Sequence, residues 1–388
     1  MLNRRLLRVK AIQGVFAYRQ KVNANYQLAL SEIDRCFQPD LNAMDKPDYA
    51  NLEYSKKHAR QIFINFFKQK EEKNTQENHE ILEAVEKAKD FYRNQNDKDK
   101  NKVYDFLLQN TLNIQDTYCS VLKLLVDLSA LVEELETKNE NKKISKDFNK
   151  SSFNLVKNKL IALLKEDPET KVALAKVKDN WLEEDSTLRQ LYKNRIAKHV
   201  AYQTYQKVVN PSFEEDRKII YDIAKKMVFK SDLLQDYFSE KDTYWSENND
   251  IIRSMIERSI KKTEESGFSM LSLSQDWEDD QYFLNNLYYG VVEMGEELQE
   301  EIMSKFKNWD EDRVSTVDSI IIDMAVVEMI ECRAIPVKVS INEYIEISKA
   351  YSTPRSKEFV NGVLDGVSKS LIKAKKIRKS GRGLIDNK

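Results

Sequence analysis

The stretch Lys357-Glu-Phe-Val-Asn-Gly-Val-Leu-Asp365, with Ser340-Ile-Asn-Glu343 shortly before it, decides the fold of this chain. In the first stretch the apolar residues recur at three- and four-residue spacing, which predicts an amphipathic helix over residues 356–376. Its Gly362 would allow a close approach to a neighbouring helix. The serine and glutamate of the second stretch have the spacing of a capping box, which predicts that another helix begins at this serine.

The overall composition also favours helices. The 388 residues include only 8 Gly and 6 Pro, and no glycine occurs between Gly14 and Gly267. Sheet proteins need glycine for hairpin turns, and phosphate-binding loops need it for close backbone approach. We therefore predict an all-α fold without a Gly-rich nucleotide site in that long stretch.

The cysteines and histidines give no pattern that is typical of a metal site or an active site. The three cysteines are far apart and form no CxxC pair, which predicts neither a zinc ribbon nor a disulfide framework and fits a reducing cytoplasm. No window approaches 18 uncharged apolar residues, so we expect a soluble cytoplasmic protein that does not cross a membrane. We also expect no cofactor, no metal and no catalytic residue, because the three histidines lack paired spacing: His58, His79 and His199.

The charge distribution is asymmetric although the net charge is only −1. Residues 1–21 contain six Lys or Arg and no acid, and residues 369–388 contain eight Lys or Arg and one acid. The first of these segments predicts an amphipathic helix over residues 3–21 with Asn3 as its N-cap. A cluster of arginines at a helix N-terminus is unfavourable with respect to the helix dipole, and it is easier to understand if an anion binds there. The two ends therefore indicate a local site for a polyanion.

Residues 22–185 have a different character from the two ends. Helical segments such as 79–93 and 100–136 alternate with strongly polar stretches, and one of these, Arg93–Lys102, predicts a flexible surface loop. We interpret this part as an added helical module, followed by longer helices from residue 186 onward.

Near the C-terminus the sequence resembles the family of the bacterial transcription antitermination factor NusB. The resemblance covers about residues 1–21 and 280–372. The residues that carry it are Arg4, Arg5, Arg8, Ala11-Ile12-Gln13, Phe16-Ala17-Tyr18, Trp309-Asp-Glu-Asp-Arg313, Val317, Ile321, Met324-Ala325, Glu328, Ile335-Pro336, Ile341-Asn342-Glu343, Ile347, Lys349 and Phe359-Val-Asn-Gly-Val-Leu-Asp365.

The resemblance implies a NusB-like bundle of two small helical subdomains that is interrupted by the added module. The implied division is residues 1–21 as the first helix of the core, 22–185 as the insertion, 186–372 as the rest of the core and 373–388 as a basic tail. It further implies a non-enzymatic RNA-binding factor. Such a factor binds boxA-like single-stranded RNA together with the ribosomal protein NusE, joins the RNA polymerase antitermination complex and promotes read-through, notably in ribosomal RNA operons.

The resemblance also suggests candidate site residues, each of which has an ordinary structural alternative. The cationic and amide side chains would contact phosphates or bases, and an aromatic ring would stack on a base, whereas the alternatives are a solvated helix start and core packing. Phe16 and Asp318 would bind NusE. The alternative for Phe16 is packing in the core, and the alternative for Asp318 is an acidic residue in the first turn of a helix, where the helix dipole stabilises it. The candidates for RNA are Arg4, Arg5, Arg8, Gln13, Lys357 and Phe359, and those for the partner are Phe16 and Asp318. We expect the first helix to lie beside the helix over residues 356–376, so that the two line a single cationic groove for unpaired RNA.

Two rival functions remain open at the level of the sequence. The chain could be a helical scaffold or interaction protein in which the inserted module does the work. It could also be the NusB-like part of an RNA cytosine methyltransferase, which would need a Rossmann-type methyl-donor site and a catalytic cysteine. The residues after 372 leave no room for either, so the enzyme is the weaker rival.

Overall fold

The computed structural model describes residues 2–39, 47–68, 78–142, 153–183, 186–308 and 314–387. These residues are mostly helical and contain no β-strand, which confirms the predicted all-α fold; an isolated bridge joins Glu264 and Gly267. The stretch Trp309-Asp-Glu-Asp-Arg313 of the resemblance lies outside the described residues. In chain order the α-helices are α1 (Arg4–Cys36), α2 (Tyr49–Phe67), α3 (His79–Lys142), α4 (Lys159–Glu166), α5 (Pro168–Ala175), α6 (Thr187–Leu191), α7 (Val200–Tyr205), α8 (Phe213–Asp222), α9 (Asp232–Lys241), α10 (Trp245–Lys262), α11 (Trp277–Val292), α12 (Glu296–Met303), α13 (Thr316–Glu331), α14 (Val337–Tyr351) and α15 (Ser356–Lys373).

The chain forms two compact units. The terminal unit consists of Asn3–Gln109 and Glu278–Lys388, and the central unit consists of Asn110–Trp277 with Leu2. The boundaries of these units do not coincide with the sequence-predicted divisions after residues 21 and 185. The division into a NusB-like core and an insertion therefore stays a prediction, distinct from this division by packing.

Helix α13 forms the centre of the terminal unit. Eleven of its 16 residues are buried, including every residue from Ile320 to Met329, and it packs against α1, α14 and α15. Three of its four acidic residues are buried as well, namely Asp318, Asp323 and Glu328, whereas Glu331 at its end is exposed. Because an ionised carboxylate loses its hydration on burial, each of these positions calls for polar partners from the neighbouring helices.

Helix α1 begins where the sequence predicts but ends much later. The Asn3 side chain accepts a hydrogen bond from the Leu6 amide at 2.7 Å, which confirms the predicted N-cap. The prediction that the helix ends near residue 21 is wrong, because α1 continues to Cys36. Its second half is stabilised by apolar packing on α2 and α3, in a cluster that includes Ile33 and Phe63.

The polar stretch Arg93–Lys102, predicted as a loop, lies inside the long helix α3, so this prediction is wrong. Several of its polar side chains form a cluster with α1 instead of facing water. The buried Asn25 donates from Nδ2 to Asp99 at 2.9 Å and to Asn96 at 2.9 Å, and Lys21 pairs with Asp99 at 3.4 Å. A polar segment that its composition predicts to be a surface loop can thus lie in a helix–helix interface when its side chains are hydrogen-bonded to each other.

The central unit has its own buried polar network. Tyr205 donates from its hydroxyl to Asp216 at 2.6 Å and accepts from Asn158 at 3.0 Å. Burial raises the pKa of Tyr205 above its usual range, since the charged form would lose its hydration. Two π-helical segments, Tyr192–Ile196 and Ile223–Val228, directly follow α6 and α8.

Two helical glycines of the terminal unit differ in their surroundings, and this difference is testable. A Cβ at Gly290 would lie 2.5 Å from Cγ1 of the buried Val327, whereas a Cβ at Gly362 would meet nothing within 4 Å. The prediction that Gly362 serves a close helix approach is therefore wrong, and Gly290 has that role.

We expect Gly290→Ala to lower the free energy of unfolding by about 1–3 kcal/mol, because the added methyl group overpacks the core. Gly362→Ala is the matched control and should leave stability unchanged or raise it by up to about 1 kcal/mol through helix propensity. Urea unfolding followed by circular dichroism measures both. Equal destabilisation by the two substitutions would contradict the assigned packing.

Candidate functional site

Arg8 is a buried residue that joins three helices of the terminal unit. Its Nε and Nη2 donate to the two carboxylate oxygens of Glu328 at 2.7 and 2.8 Å, and its Nη1 lies 3.3 Å from Glu343. The side chains of Arg8 and Glu328 are only 4% and 0% exposed. The planar guanidinium group suits this bidentate geometry. Burial lowers the pKa of Arg8, but the hydrogen bonds and the charge of Glu328 raise it, and the net effect is a raised pKa.

Helix α14 completes the hydrogen bonding of the Glu328 carboxylate. Ser340 donates from Oγ at 2.7 Å and Tyr344 donates from its hydroxyl at 3.1 Å, both to Glu328. The predicted capping box is therefore wrong, because α14 already begins at Val337 with Pro336 as its N-cap. Ser340 is a buried interior residue whose hydroxyl is needed by Glu328, and the carboxylate of Glu343 faces arginines.

Arg4 and Arg5 lie at the surface, in contrast to Arg8. Arg5 donates from Nε and Nη2 to Glu343 at 3.0 and 2.9 Å, and its side chain is 53% exposed. The hydrogen bond from Arg5 lowers the pKa of Glu343, against the opposing effect of burial. Arg4 pairs with Asp279, and its guanidinium lies 4.2 Å from the ring centroid of Phe283. Both cations thus remain accessible to solvent while they contact carboxylates of the protein.

The other candidates on α1 lie further along the helix. Gln13 is half-buried, and its buried Oε1 has no hydrogen-bond partner among the described residues. Phe16 is 40% exposed, which leaves ring surface available to a partner. One helical turn later, Arg19 donates to Asp323 of α13 at 2.5 Å.

Asp318 is buried at the start of α13 and is held by hydroxyl groups. Its amide donates to the N-cap Ser315 at 3.0 Å, and its Oδ2 accepts from Ser356 of α15 at 2.8 Å. The other oxygen, Oδ1, is buried and finds no hydrogen-bond partner in the described part of the chain. The predicted contact with NusE would need an accessible side chain, whereas Asp318 is only 4% exposed because it bridges the first turns of α13 and α15. Direct contact with a partner protein would require this part of the structure to open, and the role stays a prediction.

On α15 the two RNA candidates have different surroundings. Lys357 is exposed, whereas Phe359 is buried and packs edge-on against Phe306 with ring centroids 5.4 Å apart. Stacking of a base on Phe359 would have to disrupt this core contact, so the structure favours its packing alternative. The RNA role of both residues stays a prediction.

The sequence-predicted residues do not form one groove between α1 and α15. Helix α1 packs on α13, and α15 packs mainly on α13 and α14; α1 and α15 share no comparably extensive interface in the described part of the chain. The expectation of a single groove lined by these two helices is therefore corrected. Its physical reason is α14, whose Glu343 binds the arginines at the start of α1.

Sequence reasoning missed the residues that hold the arginines in place, namely Glu328, Ser340 and Tyr344. A signal for the first was present, because Glu328 interrupts the apolar run Met324–Ile330. A carboxylate in an otherwise buried helix needs a cation or several hydrogen-bond donors, so a basic residue of another helix could have been expected beside it.

The histidines do not form a site in the structure. His58 stacks on Tyr54 with ring centroids 5.8 Å apart, His79 is exposed, and His199 accepts from the Ala201 amide as the N-cap of α7. In the described ranges, no group of three His, Cys, Asp or Glu side chains is arranged to hold a metal ion. None of the helices there is long and apolar enough to span a bilayer.

The terminal unit is therefore that of an all-α helical-bundle protein, in which an arginine-bearing first helix packs on a buried central helix. Comparison with known families gives the particular one: the model of the NusB family matches residues 195–369, and the chain belongs to this family. The first helix, with its arginines, lies outside the matched residues, whereas Asp318, Lys357 and Phe359 lie within them.

Three curated relatives are transcription antitermination proteins NusB. The protein of Salinibacter ruber is 40% identical over 103 residues, which are 26% of this chain and 64% of that protein. The protein of Chloroherpeton thalassium is 36% identical over 104 residues, 27% of this chain and 49% of that protein. The protein of Bacillus licheniformis is 40% identical over 96 residues, 25% of this chain and 74% of that protein.

The extent of these matches limits what carries over. The chain covers less than two thirds of the first two relatives, and about three quarters of its own length lies outside each matched region. No solved structure matches the chain significantly.

The buried pair of Arg8 and Glu328 leads to a stability prediction. We expect Arg8→Met to lower the free energy of unfolding by about 3–5 kcal/mol, because it leaves a buried carboxylate without its cation. Arg5→Met is the matched control, and it should cost less than about 1 kcal/mol because its ion pair is exposed.

Denaturant unfolding of both variants measures the difference. The double variant R8M/E328Q should recover part of the loss, since it removes the uncompensated charge as well. A loss for Arg8→Met no larger than that for Arg5→Met would show that Arg8 does not support the fold.

Proposed function

We propose that this protein is an RNA-binding transcription antitermination factor. The observation that carries the proposal is its membership of the NusB family, whose relatives at 36–40% identity are transcription antitermination proteins. The matched region includes α15 as well as α13 and α14, the two helices whose Glu328 and Glu343 bind arginines at the start of α1.

In its finer form the proposal follows the resemblance stated for the sequence. The protein binds boxA-like single-stranded RNA together with the ribosomal protein NusE, joins the RNA polymerase antitermination complex in the cytoplasm and promotes read-through in ribosomal RNA operons. It acts by binding RNA and partner proteins and not by catalysis.

The charge and exposure of individual residues support a phosphate-contacting surface around Arg4 and Arg5. Both side chains are partly exposed cations on one turn of α1, and guanidinium groups bind phosphate as they bind carboxylate. Lys357 on α15 is a third exposed cation. We assign Arg8 and Phe359 to the support of this surface, because both are buried.

A second candidate function is that of a helical scaffold or interaction protein. The observation that favours it is the central unit, Asn110–Trp277, which has its own core and buried polar network. This candidate predicts that RNA affinity is absent or unaffected by the arginines of α1.

RNA binding is tested by fluorescence anisotropy with a labelled boxA-like RNA, with and without NusE, at 50 and 200 mM salt. We expect the full chain to bind more weakly at the higher salt, because bound phosphates release counterions. The double variant R4Q/R5Q should reduce the slope of log K against log salt by about 0.7 for each phosphate that the protein no longer neutralises, and should weaken binding on the order of tenfold.

The control replaces two exposed lysines of the central unit, K171Q/K176Q, and should keep the affinity of the unchanged protein. A scrambled RNA of equal length separates sequence preference from simple charge attraction. If neither RNA binds in the presence or absence of NusE, the proposed function is refuted and the scaffold function is favoured.

A further inference from the structure

The C-terminal basic segment, Lys373–Arg382, is folded onto the terminal unit and is not a frayed tail. Ile377 is buried, the Ser380 amide donates to the Arg333 carbonyl at 3.0 Å, and Lys379 donates from Nζ to the Cys332 carbonyl at 2.9 Å. Both acceptors directly follow α13, so the segment satisfies carbonyl groups at the C-terminal end of the central helix.

The backbone of this segment contains residues with unusual conformations or close contacts at the points where the chain turns and where it approaches α13. Lys375 has a φ of 56° and Gly381 a φ of 53°, so two left-handed residues turn the chain after α15 and again before the final 3₁₀ helix, Gly381–Asn387. A Cβ at Gly383 would overlap the Arg333 carbonyl oxygen, which means that only glycine allows this approach. The 3₁₀ helix also packs on α14, the helix that carries Glu343.

The cations of the segment divide into two groups. Lys376 pairs with Glu297 at 2.7 Å, and Lys379 binds a backbone carbonyl, so both hold the segment in place. The other four are exposed and form no ion pair with the described acidic residues, although Arg378 also donates from Nε to a backbone carbonyl at 3.3 Å. They are Lys373, Lys375, Arg378 and Arg382.

The C-terminal segment and the start of α1 both contact the C-terminal part of α13. Lys379 donates to the carbonyl of Cys332, the residue after α13, and Arg8 of α1 binds Glu328, one helical turn before Cys332. Burial raises the pKa of Cys332 to about 12, and Glu328 acts in the same direction. The charges of Lys379, Arg4 and Arg8 oppose this rise in the pKa of the thiol.

We propose that the C-terminal basic segment and the Arg4–Arg5 turn of α1 form one continuous cationic surface, at the C-terminal end of α13, that contacts the phosphate backbone of single-stranded RNA. This inference rests on the proposed function and extends it to residues beyond the family match, which ends at residue 369. Four cations that pair with no described carboxylate suit a polyanion, and their fixed backbone means that little chain entropy is lost when RNA binds.

The first test removes the four exposed charges in the full-length chain with K373Q/K375Q/R378Q/R382Q. We expect the slope of log K against log salt for boxA-like RNA to fall by about 0.7 for each cation that contacts a phosphate. The matched control removes four exposed lysines of the central unit, K165Q/K171Q/K176Q/K178Q, and should leave the slope unchanged.

The second test keeps every charge and disturbs only the docking. Gly383→Ala should release the segment from Arg333, increase tryptic cleavage after Arg378 and Lys379, and weaken RNA binding in the same direction as the charge variant. Gly267→Ala is the control, because a Cβ there meets nothing within 4 Å.

The outcomes separate this inference from the proposed function. If the unchanged protein binds RNA and the four-charge variant binds with the same affinity and slope, the surface is refuted and the proposed function stands. If that variant binds RNA like the unchanged protein but no longer binds NusE, the RNA surface is also refuted, and the segment is assigned to a protein partner. Full affinity of Gly383→Ala despite increased cleavage would overturn the folded surface in favour of a flexible tail. If the unchanged protein does not bind RNA at all, both proposals fail.

Discussion

The carboxylate of Glu328 is the constraint on which the terminal unit depends. It lies in the middle of an apolar helix with no exposed surface, where an unpaired charge would cost several kcal/mol. Arg8 neutralises the charge, and Ser340 and Tyr344 supply two further donors, so that α1, α13 and α14 must come together in one arrangement. Apolar packing depends on the shapes of the side chains, whereas a bidentate ion pair with two hydroxyl donors also fixes the direction and the distance of each polar contact, and it therefore specifies one register.

A second ion pair fixes the direction of α1 along α13. Arg19 follows Arg8 by about three helical turns and therefore lies on the same face of α1, and it pairs with Asp323, which precedes Glu328 on α13. The two helices thus run in opposite directions, and the start of α1 is placed at the C-terminal end of α13. This placement brings Arg4 and Arg5 towards α14 and towards the C-terminal basic segment, which binds the carbonyl groups of Cys332 and Arg333.

The features that were predicted correctly are those that depend on residues close together in the sequence. Glycine scarcity and apolar spacing predicted the helical fold, and Asn3 caps α1 because an asparagine side chain reaches the free amides of the first turn. The errors occur where a tertiary partner competes. Ser340 has capping-box spacing, but its hydroxyl serves Glu328, and Asp99 lies in a loop-like sequence but is buried against Asn25. For the candidate site, the sequence predicted which residues carry charge, and it could not predict exposure, because Arg5 and Arg8 are neighbours on one side of α1 and only the packing of other helices decides which of them is buried.

The arginine cluster at the start of α1 is unfavourable with respect to the helix dipole, and the structure identifies the anions that compensate it as Asp279, Glu328 and Glu343 of the protein. A phosphate that approaches Arg5 must therefore compete with Glu343, whose ionised form this arginine already stabilises. The four exposed cations of the C-terminal segment have no such competitor among the described residues. In the proposed surface, long-range attraction of RNA accordingly comes chiefly from the C-terminal segment, and the arginines of α1 contribute at short range, when a phosphate has replaced a carboxylate oxygen.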